Sequence, residues 1–234
     1  MNLKKVCNKL GNYIFEFKVD KEINKLINFD FKPNNYKYFE CIEKIEKWEN
    51  NHSSYFQNLQ KLIRNCTATK KQIFEIETFE LYCGYYSKNI NNHLRGITIN
   101  EYYNSIILQL DDYISKFSSN ENLIAVRRVP NKYIGKNFSK NKIFKENGFL
   151  STSLNLNFRL DYDSIYKPLV NESLLIIKIP KGTKGVYLEN IVPPKKQKKE
   201  YEFLIARNQT FKVIFNRRIL NNRLLYLTIV PEIK

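Results

Sequence analysis

From residue 123 the chain runs LIAVRRV (123–129), GFLSTSL (148–154), SLLIIKI (173–179), GVYLENI (185–191), YEFLIA (201–206), TFKVIF (210–215) and RLLYLTIV (223–230). Each run is short, rich in β-branched or aromatic residues and bounded by turn formers, and no long helical period separates most of them. Residues 121–234 therefore read as a predominantly antiparallel β unit. The preceding 120 residues carry a different period. In YKYFECIEKIEKWE (36–49), Phe39, Ile42, Ile45 and Trp48 recur at threes, which predicts a helix over 36–49. A second amphipathic stretch covers Ser54 to Leu62, and Asn65, Thr67 and Thr69 punctuate the chain after it. From Thr98, TINEYYNSIILQLDDYISKF opens with the spacing of a capping box, Thr98 to Glu101, and buries Ile106, Ile107, Leu110, Tyr113 and Ile114. Helices followed by strands give the α+β class. The expected arrangement is one domain over 1–234, with a mainly helical part (1–120) packed on a core of two antiparallel-rich sheets (121–234).

Composition limits the function. Hydrophobic residues make up 43% of the 234 positions and aromatics 14%, too much apolar surface for a disordered chain. Only 7 Gly and 7 Pro occur, which excludes collagen-like and low-complexity classes. The net charge of +16 points to an acidic partner: nucleic acid, an anionic membrane surface, an acidic protein or a phosphate-bearing ligand. Cys7, Cys41, Cys66 and Cys83 are scattered, and only His52 and His93 could join them. No zinc site, disulfide scaffold or other metal site is expected. No apolar run reaches the ~20 residues of a membrane span. The opening MNLKKVCNKLGNYIFEF interrupts its apolar positions with Asn, Lys, Gly and Glu and lacks the core of a signal peptide. A cytosolic chain, a processed chain or a product of leaderless secretion is the expectation.

Three constellations carry chemistry. Arg127 and Arg128 end a strand otherwise made of apolar residues, and alternation sends one to each face, so at least one needs an anion or a carboxylate. Ser151, Thr152 and Ser153 place three orientable hydroxyls on a strand, useful beside a carboxylate or a ribose. Glu200 and Glu202 follow the basic run Pro193-Pro194-Lys195-Lys196-Gln197-Lys198-Lys199, and period two would put both carboxylates on one face. Surface charges, a polar strand edge and a solvated acidic edge are the plain structural alternatives for the three.

In this order, Arg127, then Ser151-Thr152-Ser153, then Glu200-x-Glu202, the set resembles the R-S-E class of mono-ADP-ribosyltransferases, which holds the clostridial binary toxins and the C3-like exoenzymes. KNINNHLR (88–95) is similar to the family's helix with an I-N-x-x-L-R pattern, FKENGFLSTSL (144–154) to its STS strand, and EYEFLIARNQTFKV (200–213) to its catalytic strand. KIPKGTKGVYLENI (178–191) is similar to the segment between them, so the resemblance spans about Tyr82 to Ile214.

The resemblance implies an ADP-ribosyltransferase-like fold and NAD as substrate, with no metal. It implies that Glu202 stabilises the cationic ribose formed when the nicotinamide bond breaks, that Ser151 orients Glu202, and that Arg127 grips NAD on the nicotinamide side. Arg128 becomes a diphosphate contact, and Thr152 and Ser153 line the same cleft. Tyr82 and Asn91 match cofactor-contacting positions, while a second tyrosine expected between them is Ser87, beside Tyr86. Arg159, Phe158 and Tyr162 are the candidates for a loop over the nicotinamide. A glutamate at position 200 goes with an arginine acceptor in this family, so the implied partner is a host or competitor protein bearing an acceptor arginine. Gln197 among four lysines replaces the aromatic usual in the recognition loop, so neither actin nor a Rho-type GTPase carries over as target. An acidic surface patch, RNA or DNA around the acceptor fits that loop instead. The chain would act secreted or delivered into a target-cell cytosol, by a separate translocation component, a delivery machine or passive uptake. Two readings stand beside this one: NAD glycohydrolysis or transfer to nucleic acid on the same fold, and a basic nucleic-acid-binding module without catalysis.

Overall fold

Helix α1 (Leu3–Leu26) runs into a π-helical turn (Ile27–Phe31), and the apolar side of this long element fixes one outer layer. Phe15, Val19 and Ile23, four residues apart, bury themselves with Ile27 and Phe31 against the strands below. The structure, a computed structural model, describes residues 3–52, 54–131, 134, 138–157, 172–188, 200–220 and 222–231. Four shorter helices follow in the first half: α2 (Ile42–His52), α3 (Ser54–Arg64), α4 (Lys70–Leu81) and α5 (Ser87–Leu94), the last two joined by a second π-helical turn (Tyr82–Tyr86). α6 (Tyr102–Ser115) buries Ile106, Ile107, Leu110, Tyr113 and Ile114, as its period predicts. Two sequence expectations shift. The segment before α2 is extended rather than helical: Lys37 and Phe39 form bridges to Leu123 and Asn155, so Phe39 is buried from a strand-like backbone. The capping box forms at Thr69 and Gln72, at the start of α4, and not at Thr98. α6 starts four residues beyond Thr98, where the Asn100 side chain accepts from the Tyr102 N–H at 3.0 Å.

The strands are β1 (Leu123–Pro130), β2 (Ile143–Glu146), β3 (Leu150–Ser153), β4 (Glu172–Ile179), β5 (Gly185–Tyr187), β6 (Glu202–Ile205), β7 (Gln209–Ile219) and β8 (Asn222–Val230). Their order is β2-β7-β8-β4-β1-β3-β6-β5, and every pair is antiparallel except β4 with β8. The two sheets expected from sequence are thus two leaves of one continuous order. They meet where β1 pairs with β3 through a single register, Val126 opposite Ser153.

Alternation then sorts the side chains into layers. Leu123, Ala125, Leu175 and Ile177 of one leaf meet Leu150, Leu154, Phe203 and Ile205 of the other in a central core, closed at one side by Ile45 and Trp48 of α2. Ile124, Val126, Leu174 and Ile176 point the other way, onto α1. Phe149, Val186, Leu188 and Leu204 meet α4, α5 and α6. The helical part packs on the β part, α1 on one outer face and α4, α5 and α6 on another.

Candidate functional site

The site forms where the two leaves meet. β1 carries Arg127 and Arg128 just past the pairing of Val126 with Ser153, and alternation separates them. Arg127 shares the face of Leu123 and Ala125, and its Nη1 donates to the Ser151 carbonyl oxygen. Burial lowers the pKa of its guanidinium, the neighbouring Tyr82 acts against this, and Arg95 adds to it. Arg128 shares the face of Ile124 and Val126. There its Nη2 donates to Glu16 Oε2 of α1 at 2.8 Å, with only 5% of its side chain exposed. The charged end of Arg128 thus meets Glu16 of α1, while that of Arg127 meets the Ser151 backbone.

On the second leaf, Ser151 lies opposite Leu204 and Ser153 opposite Glu202, so both serines and Glu202 share one face. Thr152 points to the opposite face, where its hydroxyl donates to the Phe203 carbonyl at 2.7 Å and ties β3 to β6. The Ser153 hydroxyl donates to the Glu200 carbonyl at 2.7 Å and accepts from the Asn155 N–H at 3.1 Å. The three hydroxyls thus divide between fastening backbone and facing the cleft.

Glu200 and Glu202 come together by a different route from the one alternation predicts. β6 begins at Glu202, and Tyr201 before it adopts φ of 50°, the left-handed region that a bulky residue rarely visits. Tyr201 is held there by burial, and its hydroxyl donates to Glu46 Oε1 of α2 at 3.4 Å. Both glutamates nevertheless line one small cavity of about 140 Å³ with Arg127, Arg128, Ser151, Thr152 and Ser153.

That cavity adjoins a larger one of about 550 Å³, and the two share Arg127, Arg128 and Ser151 in their walls. One side of the larger cavity is polar, with Ser87, Asn91, Arg95 and Glu146, and the other is apolar, with Phe138, Phe144, Leu175 and Phe211. Asn91 is buried on α5, where its Nδ2 donates to the Tyr82 hydroxyl oxygen at 3.1 Å. Tyr82 lies wholly inside with its ring edge-on to Phe149, 5.7 Å between centroids. Burial, and next the Glu202 charge, raise its phenol far above the ordinary tyrosine value, so it stays protonated. Asn91 Oδ1 is buried and has no hydrogen-bond partner among the described residues.

Two residues of this wall were not among the sequence candidates. Arg95 closes the I-N-x-x-L-R pattern, which was the available signal, and Glu146 had none because its role depends on a contact with Arg95 across 51 positions. Phe158, Arg159 and Tyr162, and the basic run 193–199 with Gln197, lie outside the described residues. Among the described residues no group of His, Cys, Asp and Glu could hold a metal ion, and no helix is long and apolar enough to cross a membrane.

Residues 43–228 match the model of the ADP-ribosyltransferase exoenzyme family. The chain is 33% identical over 137 residues to the NAD(+)–arginine ADP-ribosyltransferase EFV of Enterococcus faecalis, a match that takes in 55% of this chain and only 27% of that protein. Among solved structures, the Clostridium limosum C3 exoenzyme superposes with a TM-score of 0.63 at 19% identity, over 84% of this chain and 98% of that one. C3stau2 of S. aureus, solved with NAD, gives 0.60 at 19%, over 84% and 99%. At these identities the two structures show a shared fold. With a family match over most of its length and the Arg, STS and ExE elements gathered at one seam of that fold, this chain belongs to the ADP-ribosyltransferase exoenzyme family.

Proposed function

We propose that the chain is an NAD-dependent mono-ADP-ribosyltransferase that transfers ADP-ribose from NAD to an arginine side chain. The observation that carries this reading is the convergence of Arg127, Ser151, Glu200 and Glu202, from two leaves, on one small cavity opening into a larger one. The larger cavity supplies what a dinucleotide needs: the Arg95 guanidinium for a diphosphate, a buried and unpartnered Asn91 Oδ1 for a hydroxyl or amide donor, and an apolar wall for an aromatic ring.

In the reaction the bond between the nicotinamide nitrogen and the ribose anomeric carbon breaks, and nicotinamide leaves with the bonding electrons. Positive charge grows on the ribose, so a fixed carboxylate beside it favours the transition state. Glu202 takes that role, and its position at the start of β6, on one face with Ser151 and Ser153, supports it. Arg127, anchored to the Ser151 carbonyl, holds NAD on the nicotinamide side. Glu200, two positions before Glu202 across the left-handed Tyr201, holds the acceptor guanidinium, whose nitrogen bonds to the anomeric carbon and gives up its proton to the Glu200 carboxylate. The acceptor belongs to a host or competitor protein, which the chain reaches secreted or delivered into a target-cell cytosol, with a separate translocation component.

The test is incubation with NAD biotinylated on its adenine and an excess of agmatine, following nicotinamide release and the biotin label together. Label on agmatine supports the reading. Nicotinamide release without labelled agmatine or protein points to water as the acceptor, label sensitive to nuclease points to nucleic acid, and no nicotinamide release at all overturns the assignment.

A further inference from the structure

Glu146 presents an anomaly within this site. A carboxylate in the wall of a cavity that is to receive a diphosphate opposes the ligand electrostatically. It is nonetheless held firmly: Glu146 ends β2, opposite Gln209 of β7, and only 20% of its side chain is exposed. A single oxygen, Oε1, accepts from Arg95 Nε at 2.9 Å and from the Gly148 N–H at 2.7 Å. One bond runs to Arg95, which caps the C-terminal end of α5, and the other to the turn that leads into Ser151.

We propose that Glu146 is a positioning residue for NAD: it fixes the Arg95 guanidinium against the STS lead-in so that the arginine's two terminal nitrogens face the cavity. The inference rests on the function proposed above. Its chemistry follows from which donor is taken. Arginine offers five N–H groups in a planar fork, and a carboxylate that engaged both terminal nitrogens would compete with a phosphate for them. Glu146 engages Nε, at the side of the fork, which fixes the plane of the guanidinium and leaves the terminal groups for the ligand. Gly148 completes the arrangement, because a Cβ there would stand 3.2 Å from Arg95 Nη2 and 3.1 Å from Glu146 Oε1. The carboxylate, the arginine and the turn therefore form one unit, and the affinity lost to repulsion is offset by an arginine that is ordered before NAD arrives.

The experiment measures nicotinamide release at varied NAD for wild type, Glu146→Gln, Glu146→Asp and Glu146→Ala, with NAD-dependent thermal shift and far-ultraviolet circular dichroism for each. Glu146→Gln keeps an acceptor at the same place and is expected to stay within about threefold of the wild-type KM. Glu146→Ala is expected to raise KM about tenfold or more with kcat within about twofold, as the loss of a ground-state contact does. Glu146→Asp keeps the charge and the fold but withdraws the acceptor, so its KM rises as well; it decides the matter if the alanine variant does not fold. Wild-type KM in Glu146→Asp or Glu146→Ala, or a loss confined to kcat, or equal impairment in Glu146→Gln and Glu146→Ala, overturns the positioning role. A wild-type protein that neither consumes NAD nor is stabilised by it overturns the function itself, an outcome distinct from unchanged variants of an active enzyme.

Discussion

The side-chain amide of Asn91 donates to the buried hydroxyl of Tyr82 at 3.1 Å, and this bond joins α5, whose Asn91 lines the larger cavity, to the π-helical turn ahead of it. Tyr82→Phe removes the acceptor and leaves a buried amide N–H unpaired, which costs about 1–3 kcal/mol. The expected outcome is a lower midpoint in urea unfolding, with the slope unchanged, together with weaker NAD stabilisation because Asn91 is no longer held.

The two adjacent arginines should separate cleanly. Arg127→Ala removes a hydrogen bond to the Ser151 carbonyl, so it is expected to lower the melting temperature of the NAD-free protein less than Arg128→Ala does and to shrink the rise that NAD produces, since a ligand that binds only the folded state stabilises it by mass action. Arg128→Ala removes one partner of Glu16 from a mostly buried pair and is expected to destabilise the NAD-free fold by about 3 kcal/mol while preserving the NAD-induced rise. Calorimetric scans with and without NAD on both variants check this, and reversed behaviour would transfer the cofactor role to Arg128.

Glu202→Gln keeps shape and loses charge, so nicotinamide release should fall by about 10²–10³ whatever the acceptor. Glu200→Gln should still release nicotinamide to water at a comparable rate while transfer to agmatine falls away. Equal loss of hydrolysis in both variants would refute the acceptor role of Glu200.

The sequence exposes what depends on short-range alternation and conceals what depends on distant contacts. Arg127 and Arg128 had to face opposite ways, and they do; the buried stripe of α6 is where its period puts it. Phe39 fitted a helical period equally well, and only its pairing with Asn155, more than a hundred positions away, makes that segment extended. Glu200 and Glu202 were expected on one face by period two, yet the left-handed Tyr201 between them breaks the strand geometry and the cavity reunites them. That conformation is imposed by the burial of Tyr201 and its contact with Glu46, which no local pattern records.

Gly148 is small because its surroundings require it. A Cβ would approach Asn91 Oδ1 to 2.7 Å and crowd Glu146 and Arg95 as well. Gly148→Ala is therefore expected to push all three side chains aside and raise the KM for NAD at least severalfold, with a modest drop in stability, read from nicotinamide-release kinetics and a thermal melt.

Glu172 gives a pH dependence of known sign. Burial raises its pKa above 4.5, the Arg128 charge partly counters this, and Glu16 adds to the rise. The folded chain then binds more protons than the unfolded chain just above pH 4.5, so Glu172 makes stability fall as pH increases from there through the raised folded-state value. Glu172→Gln should flatten that part of a stability–pH curve measured by urea unfolding.

The meeting of the two leaves at Val126 and Ser153 has a kinetic consequence. Arg127 belongs to one leaf and Ser151, Glu200 and Glu202 to the other or its approach, so the proposed reaction centre needs the leaves docked at a seam of one backbone register. Opening of such a seam is a sub-global event with a free energy below that of full unfolding. Mild denaturant should therefore silence the enzyme before its ellipticity changes, and amide exchange should be faster at the junction than in the long β7–β8 ladder.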